Sequence, residues 1–221
     1  MTTFSDLLVK IAQNKPLTPS ELADLGRFGN ETQQRNSFVG GHTTAAGTLS
    51  VPTPFFPIYS EVLQADTASH TVKVPLGYKH LMILSSGRCT SSSTVAQSLR
   101  AQINGDTGSN YAYAICYLDT TTFTPTGSGS AAYDYLTVGS LAGGTTDAGR
   151  AGASFCFIPH YLNSSMYKHA FIMRAGDANT NYIFLTQMSI WKNVSPIETM
   201  VFSSTSDSIA AGAVLSVYGI L

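Results

Sequence analysis

Residues 99–118 read Leu-Arg-Ala-Gln-Ile-Asn-Gly-Asp-Thr-Gly-Ser-Asn-Tyr-Ala-Tyr-Ala-Ile-Cys-Tyr-Leu. Leu99, Ala101 and Ile103 alternate with Arg100 and Gln102, and Tyr111, Tyr113, Ile115 and Tyr117 alternate with Ala112, Ala114, Cys116 and Leu118. A period of two is that of a strand, so the segment holds two strands. Asn104-Gly105 separates them, a pair that takes up positive φ at little cost and reverses the chain. Asp106 and Asn110 can bond their own backbone and stiffen the loop, so Asn104, Gly105 and Asp106 are assigned as a structural turn. The stripe of Tyr111, Tyr113 and Tyr117 is expected to pack in the core or between subunits, and it is taken as the oligomer interface. A platform for sugars is the sharper alternative.

Outward from this hairpin the same pattern recurs. Val72 to Leu76, Leu81 to Ser85, Tyr135 to Val138, Ser154 to Leu162, His169 to Arg174, Tyr182 to Trp191, Ile197 to Ser203 and Ala213 to Leu221 are further strand candidates. About ten short strands with no helical pattern between them predict an all-β, antiparallel β-sandwich of jelly-roll type over residues 58–221. No repeat of solenoid or propeller period is present.

Residues 1–40 differ. They hold eight of the 25 charged residues, and Phe4, Leu7, Leu8 and Ile11 stand at i, i+3, i+4 and i+7. That spacing makes one apolar stripe on a short helix. A second helix is predicted from Thr18 as N-cap, Pro19 at the first helical position, Glu21 closing a capping box, and Leu17 with Leu22 at staple spacing. Helices this short are marginal alone, so the arm is expected to dock, with Phe4, Leu7, Leu8, Ile11, Leu17 and Leu22 as its anchoring side chains. Residues 41–57, with Gly41, Pro52, Pro54 and Pro57, are expected to be an extended linker.

Composition narrows the function. Lys plus Arg is 12 and Asp plus Glu is 13, so 11% of residues are charged, under half of the roughly 25% usual for soluble domains. Without excess cations the chain has no footprint for gripping nucleic-acid phosphates or an anionic membrane. No apolar run approaches 18 residues and the start lacks a signal-peptide pattern, so a chain soluble when made is expected. With 26 Ser and 25 Thr in place of charge, a surface that faces other protein copies is expected.

Chemistry-bearing motifs are sparse. Cys89, Cys116 and Cys156 are odd in number and far apart, which gives neither a disulfide framework nor a zinc spacing. Gly127 to Ala132 fits Gly-x-Gly-x-x-Ala but has no strand before it and no helix after it, and is assigned to a flexible loop. His42, His70, His80, His160 and His169 lie in five separate places, and a hydrolytic relay would need Asp134 or Asp177 brought to one of them. The oxygen donors at 104, 106 and 109 lack the bidentate Glu of a calcium loop. No catalytic residue, metal or cofactor is expected.

The stretch from Leu99 to Tyr111 resembles the Arg-x-x-Asn-Gly-Asp-x-Gly-x-Asn-Tyr hairpin of tailed-bacteriophage virion proteins. Ser195 to Ser204 followed by Ile209 to Leu221 is similar to the closing strand pair of those proteins, and Phe157 to Asn163 with Lys168 to their Ile-Pro-x-Tyr strand. The resemblance covers roughly residues 80–221. It implies a non-enzymatic virion structural protein: a homotrimeric capsid decoration or cement subunit, attached through its arm to the major capsid protein or another virion protein. The alternative it implies is a receptor-binding tail fibre or baseplate protein that contacts host glycans through the loops at 120–130.

Overall fold

A computed structural model describes residues 55–93, 96–119, 126–147, 149–178, 181–205 and 207–221. The expected arm, with Phe4, Leu7, Leu8, Ile11, Leu17 and Leu22, lies outside the described residues, as does most of the expected linker. The chain divides into two units, Met1–Phe56 and Pro57–Leu221.

The described residues form twelve strands and no helix: β1 (Phe55–Val62), β2 (Ser69–Lys73), β3 (His80–Gly87), β4 (Gln97–Ile103), β5 (Tyr111–Asp119), β6 (Thr126–Tyr133), β7 (Leu136–Leu141), β8 (Gly152–Ile158), β9 (Lys168–Ala178), β10 (Asn181–Trp191), β11 (Thr199–Ser204) and β12 (Val214–Ile220). Two sheets result, one ordered β1-β12-β3-β8-β9-β10-β5-β6 and the other β2-β11-β4-β7. Within the sheets, neighbouring strands from β2 to β12 pair antiparallel. The core lies between the sheets. Leu99, Ala101 and Ile103 of β4 with Met200 and Phe202 of β11 belong to one buried cluster with Leu81, Ile83, Cys156, Ile158, Ile172 and Val217 of the large sheet. Burial pushes the Cys156 thiol up, as expected of an inert core cysteine.

Each expected strand run overlaps a strand, by only two residues at β2, and two strands were hidden. β1 begins inside the expected linker: it is an edge strand of the large sheet, where a proline such as Pro57 is tolerated. The loop expected at Gly127 to Ala132 is instead part of β6, paired with β5 through Ser130 opposite Tyr113 and Gly127 opposite Cys116. It too is an edge strand, where pairing with one neighbour suffices.

The 104–110 loop is a knot of hydrogen bonds. Asn104 and Gly105 take φ of 52° and 70°, and the Asp106 N–H donates to the Ile103 carbonyl at 2.9 Å. The Asn104 side chain ties the turn to the chain before β11, donating to the Pro196 carbonyl at 2.7 Å and accepting from the Glu198 and Thr199 N–H groups. The Asp106 carboxylate accepts from the Gly108 N–H at 2.9 Å, from Asn110 Nδ2 at 3.1 Å and from Trp191 Nε1 at 2.7 Å. The Tyr111 hydroxyl accepts from the Ile103 N–H and donates to the Asp106 carbonyl. Tyr111 is therefore wholly buried in its own chain, which corrects its assignment to an oligomer interface. Burial, with the charges of Asp106 and Asp134 adding to it, raises its hydroxyl to about 12 against the opposing hydrogen bond from the Ile103 N–H.

Burial would also raise the Asp106 carboxyl, but the bonds from Trp191, Gly108 and Asn110 together hold it below the ordinary carboxylate range. A carboxyl depressed on folding contributes stability that is present above its unfolded pKa of about 4 and is lost as pH falls through the folded value. The urea midpoint is expected to fall as pH drops below about 4. Asp106→Asn should flatten that fall and cost about 1–2 kcal/mol at pH 7, which urea titrations at pH 3 to 7 would measure.

Candidate functional site

The pleat sorts the side chains of the large sheet onto two faces. Inward go Ile83, Cys156, Ile172 and Gln187. Outward, the register lines up a row of Tyr218, Met82, Phe157, Phe171, Met188 and Ala114 across β12, β3, β8, β9, β10 and β5. The next row is Ser216, Leu84, Phe155, Met173, Thr186 and Cys116, and a third holds Val214, Ser86, Ala153, Ala175 and Phe184. None of these positions carries an acid or a basic side chain.

Phe155, Phe171, Met173, Phe184 and Met188 are 39% to 51% exposed. Several of them border a groove of about 480 Å³ together with Ala114 and Cys116. Six strands at about 4.8 Å and three rows at about 6.8 Å cover roughly 600 Å² in projection. Patches near this size are the largest that monomers usually expose, and they commonly mark contact sites. An antiparallel sheet normally keeps one face polar; this one is apolar on both, the pattern of a sheet covered on both sides.

Histidines rim the patch. The His80 ring lies 5.5 Å from that of Phe157 and 4.7 Å from that of His160, and the His160 N–H donates to His80 Nδ1 at 3.1 Å. Burial lowers the His80 pKa, and the neighbouring His160 and Lys79 lower it further. Two of the five scattered histidines thus converge, but no described acid is hydrogen-bonded to either. Asp134 is exposed, and the Asp177 side chain lies outside the described ones. Among the described residues no group of three His, Cys, Asp or Glu side chains could hold a metal ion.

Of the three tyrosines assigned to an interface, Tyr111 is core and Tyr113 shares its inward face, its hydroxyl 3.3 Å from that of Tyr133. The Tyr117 side chain lies outside the described ones. The residues between them, Ala112, Ala114 and Cys116, face outward. The sequence reading gave no buried role to two further groups. Lys168 is buried and donates to the carbonyls of Asn163, Met166 and Val194, and burial lowers its pKa. Arg174 is buried on the inward face of β9.

No family model and no curated protein matches the chain. Solved structures that match are those of an alginate lyase. A double mutant bound to an alginate trisaccharide aligns at 10% identity, covering 73% of this chain and 80% of that chain with a TM-score of 0.27. The unmodified lyase aligns at 11% identity, covering 73% and 80%, with a TM-score of 0.26. The expectation of a non-enzymatic virion subunit is corrected on this finding: what matches is an enzyme and not a particle protein. A likeness this distant assigns no activity to this chain. The local geometry gives Asn104, Asp106 and Tyr111 of the hairpin a structural part, since their side chains close and brace the turn.

Proposed function

We propose that the chain is a self-associating β-sandwich whose large sheet pairs, outer face to outer face, with that of a second copy. The observation that carries this is the uncharged apolar patch centred on Phe171 and Met188. A second copy suits it because two uncharged faces meet without stranding a charge, and a formal net charge of −1 leaves little repulsion between copies. A projected patch of roughly 600 Å², made rugged by aromatic side chains, approaches the ~800 Å² per partner of a stable interface. Covering the five half-exposed side chains contributes on the order of 5 kcal/mol per copy. A continuous face that meets itself does so about a twofold axis, which favours a dimer over the trimer expected from sequence. The passage of the chain between sheets through β1 to β5 supports a jelly-roll-like path, and the spacing of Phe4, Leu7, Leu8 and Ile11 supports a helical arm.

Sedimentation velocity of the full chain is expected to give a dimer at micromolar concentration. Phe171→Glu and Met188→Lys, each burying an unpaired charge in the contact, are expected to weaken it at least ~30-fold with the fold intact by circular dichroism. Leu7→Glu with Leu8→Glu should leave the dimer unchanged. A monomeric wild type at ~100 µM, or association lost through the Leu7/Leu8 pair and not through Phe171, would refute the pairing.

A further inference from the structure

We infer that the inward face of β5, β9 and β10 carries a binding site for a carboxylate, built on Arg174. The Arg174 side chain is 9% exposed. It donates from Nη1 to Ser98 Oγ at 2.9 Å and to the Gly139 carbonyl at 3.1 Å, and its Nε has no partner. Burial lowers its pKa to about 10, and among the described residues the groups that oppose the shift are the phenols of Tyr113 and Tyr135, not a carboxylate. A cation withdrawn from water without a counter-charge is costly, and a sequence keeps one where something anionic completes it.

Tyr113 and Tyr135 stand close enough to act on the Arg174 charge, and Gln187 lies on the neighbouring strand two residues from Leu185, which pairs with Arg174. Gln187 is 5% exposed and donates to Ser189 Oγ at 2.8 Å, while its Oε1 has no partner. Tyr113, Tyr133 and Tyr135 are partly exposed and pack in series, the first pair tilted and the second edge to face, with ring centroids 5.1 Å and 5.3 Å apart. The Arg100 guanidinium sits 4.8 Å from the centroid of the Tyr135 ring and donates to the Ser204 and Thr205 carbonyls. A guanidinium edge recognises carboxylate in a bidentate way. The unpaired Gln187 carbonyl oxygen would accept a hydroxyl, and the tyrosine faces would stack on a ring. The carboxylate therefore belongs to a small organic acid or to a sugar acid, and the aromatic series favours the latter.

Isothermal titration of the full chain with galacturonate, galactose, acetate and sulfate separates the sources. Galacturonate is expected to bind at least ten times more tightly than galactose; a larger affinity than acetate's assigns a sugar acid, and parity with acetate assigns a free acid. Arg174→Met should abolish this binding and raise the melting temperature of the unliganded protein, since it removes an uncompensated buried charge. Arg174→Lys should retain weakened binding. Equal binding of galactose, tighter binding of sulfate, binding by none of the four, or a lower melting temperature for Arg174→Met with binding retained would overturn the site.

Discussion

Trp191→Ala is expected to destabilise the fold by about 4–6 kcal/mol, from a cavity cost of about 3–5 kcal/mol and a partly orphaned carboxylate at about 1 kcal/mol. Trp191 is 1% exposed, its ring stacks on Tyr111 with centroids 6.4 Å apart, and its Nε1–H reaches Asp106. One side chain therefore joins the end of β10, the start of β5 and the turn between β4 and β5. Against a total stability of about 5–15 kcal/mol, the loss leaves a marginal protein. Trp191→Phe separates the contributions: it keeps most of the packing, forfeits the hydrogen bond to a charged acceptor, and should cost about 2 kcal/mol. In a double-mutant cycle with Asp106→Asn the coupling is expected to exceed about 1 kcal/mol. Trp191 is the one tryptophan in the chain, so unfolding in urea has to be followed by circular dichroism, at fixed protein concentration because association shifts apparent stability. A cost under about 2 kcal/mol for Trp191→Ala would remove the hub from this account.

The strands were legible because alternation and the Asn104-Gly105 turn are local properties. Which face of each strand turns inward was not. In β9, Phe171 and Met173 alternate with Ala170, Ile172 and Arg174, and hydrophobicity alone sends the phenylalanine and methionine to the core. The fold does the reverse: Ala170, Ile172 and Arg174 are buried, and Phe171 and Met173 are about half exposed. In β5 the large residues do go inward, leaving Ala114 and Cys116 outside, so size was a guide in one strand and a false one in its neighbour's neighbour. The ambiguity has a physical origin, since a strand that is apolar on both sides has no polar face to orient it. The Trp191–Asp106 bond spans 85 residues and leaves no local pattern. The Arg174 cluster draws side chains from five strands and the turn before β7, and an arginine inside a strand is ordinarily assigned to solvent. The edge strands β1 and β6 were missed for a related reason: prolines and glycines weaken the local signal where a strand has one partner only.

Gly152→Ala is expected to cost about 3 kcal/mol, at the top of the usual range for overpacking. A Cβ built on Gly152 of β8 would stand 2.4 Å from the Ser140 carbonyl oxygen, 2.7 Å from its carbon and 2.8 Å from Leu141 Cα. All three are backbone of β7, so no rotamer change relieves the clash and the sheets themselves have to separate. The approach is close on both sides of the gap. Gly139 of β7 would carry a Cβ 2.6 Å from Ser154 Oγ and 2.8 Å from Ser85 Oγ, and the Ser140 N–H donates to Ser154 Oγ at 2.7 Å across the same gap. Separation would stretch that bond and loosen the Gly139 carbonyl on which Arg174 Nη1 rests. The defect should therefore spread to the carboxylate site, and Gly152→Ala is expected to weaken galacturonate binding even where the protein remains folded. Ala153→Ser, one residue along and on the outer face, should change stability by less than about 0.5 kcal/mol. Melting curves of the two variants side by side would settle whether the sheets meet backbone to backbone at β7 and β8: equal stabilities would mean that the spacing between them is softer than this geometry requires.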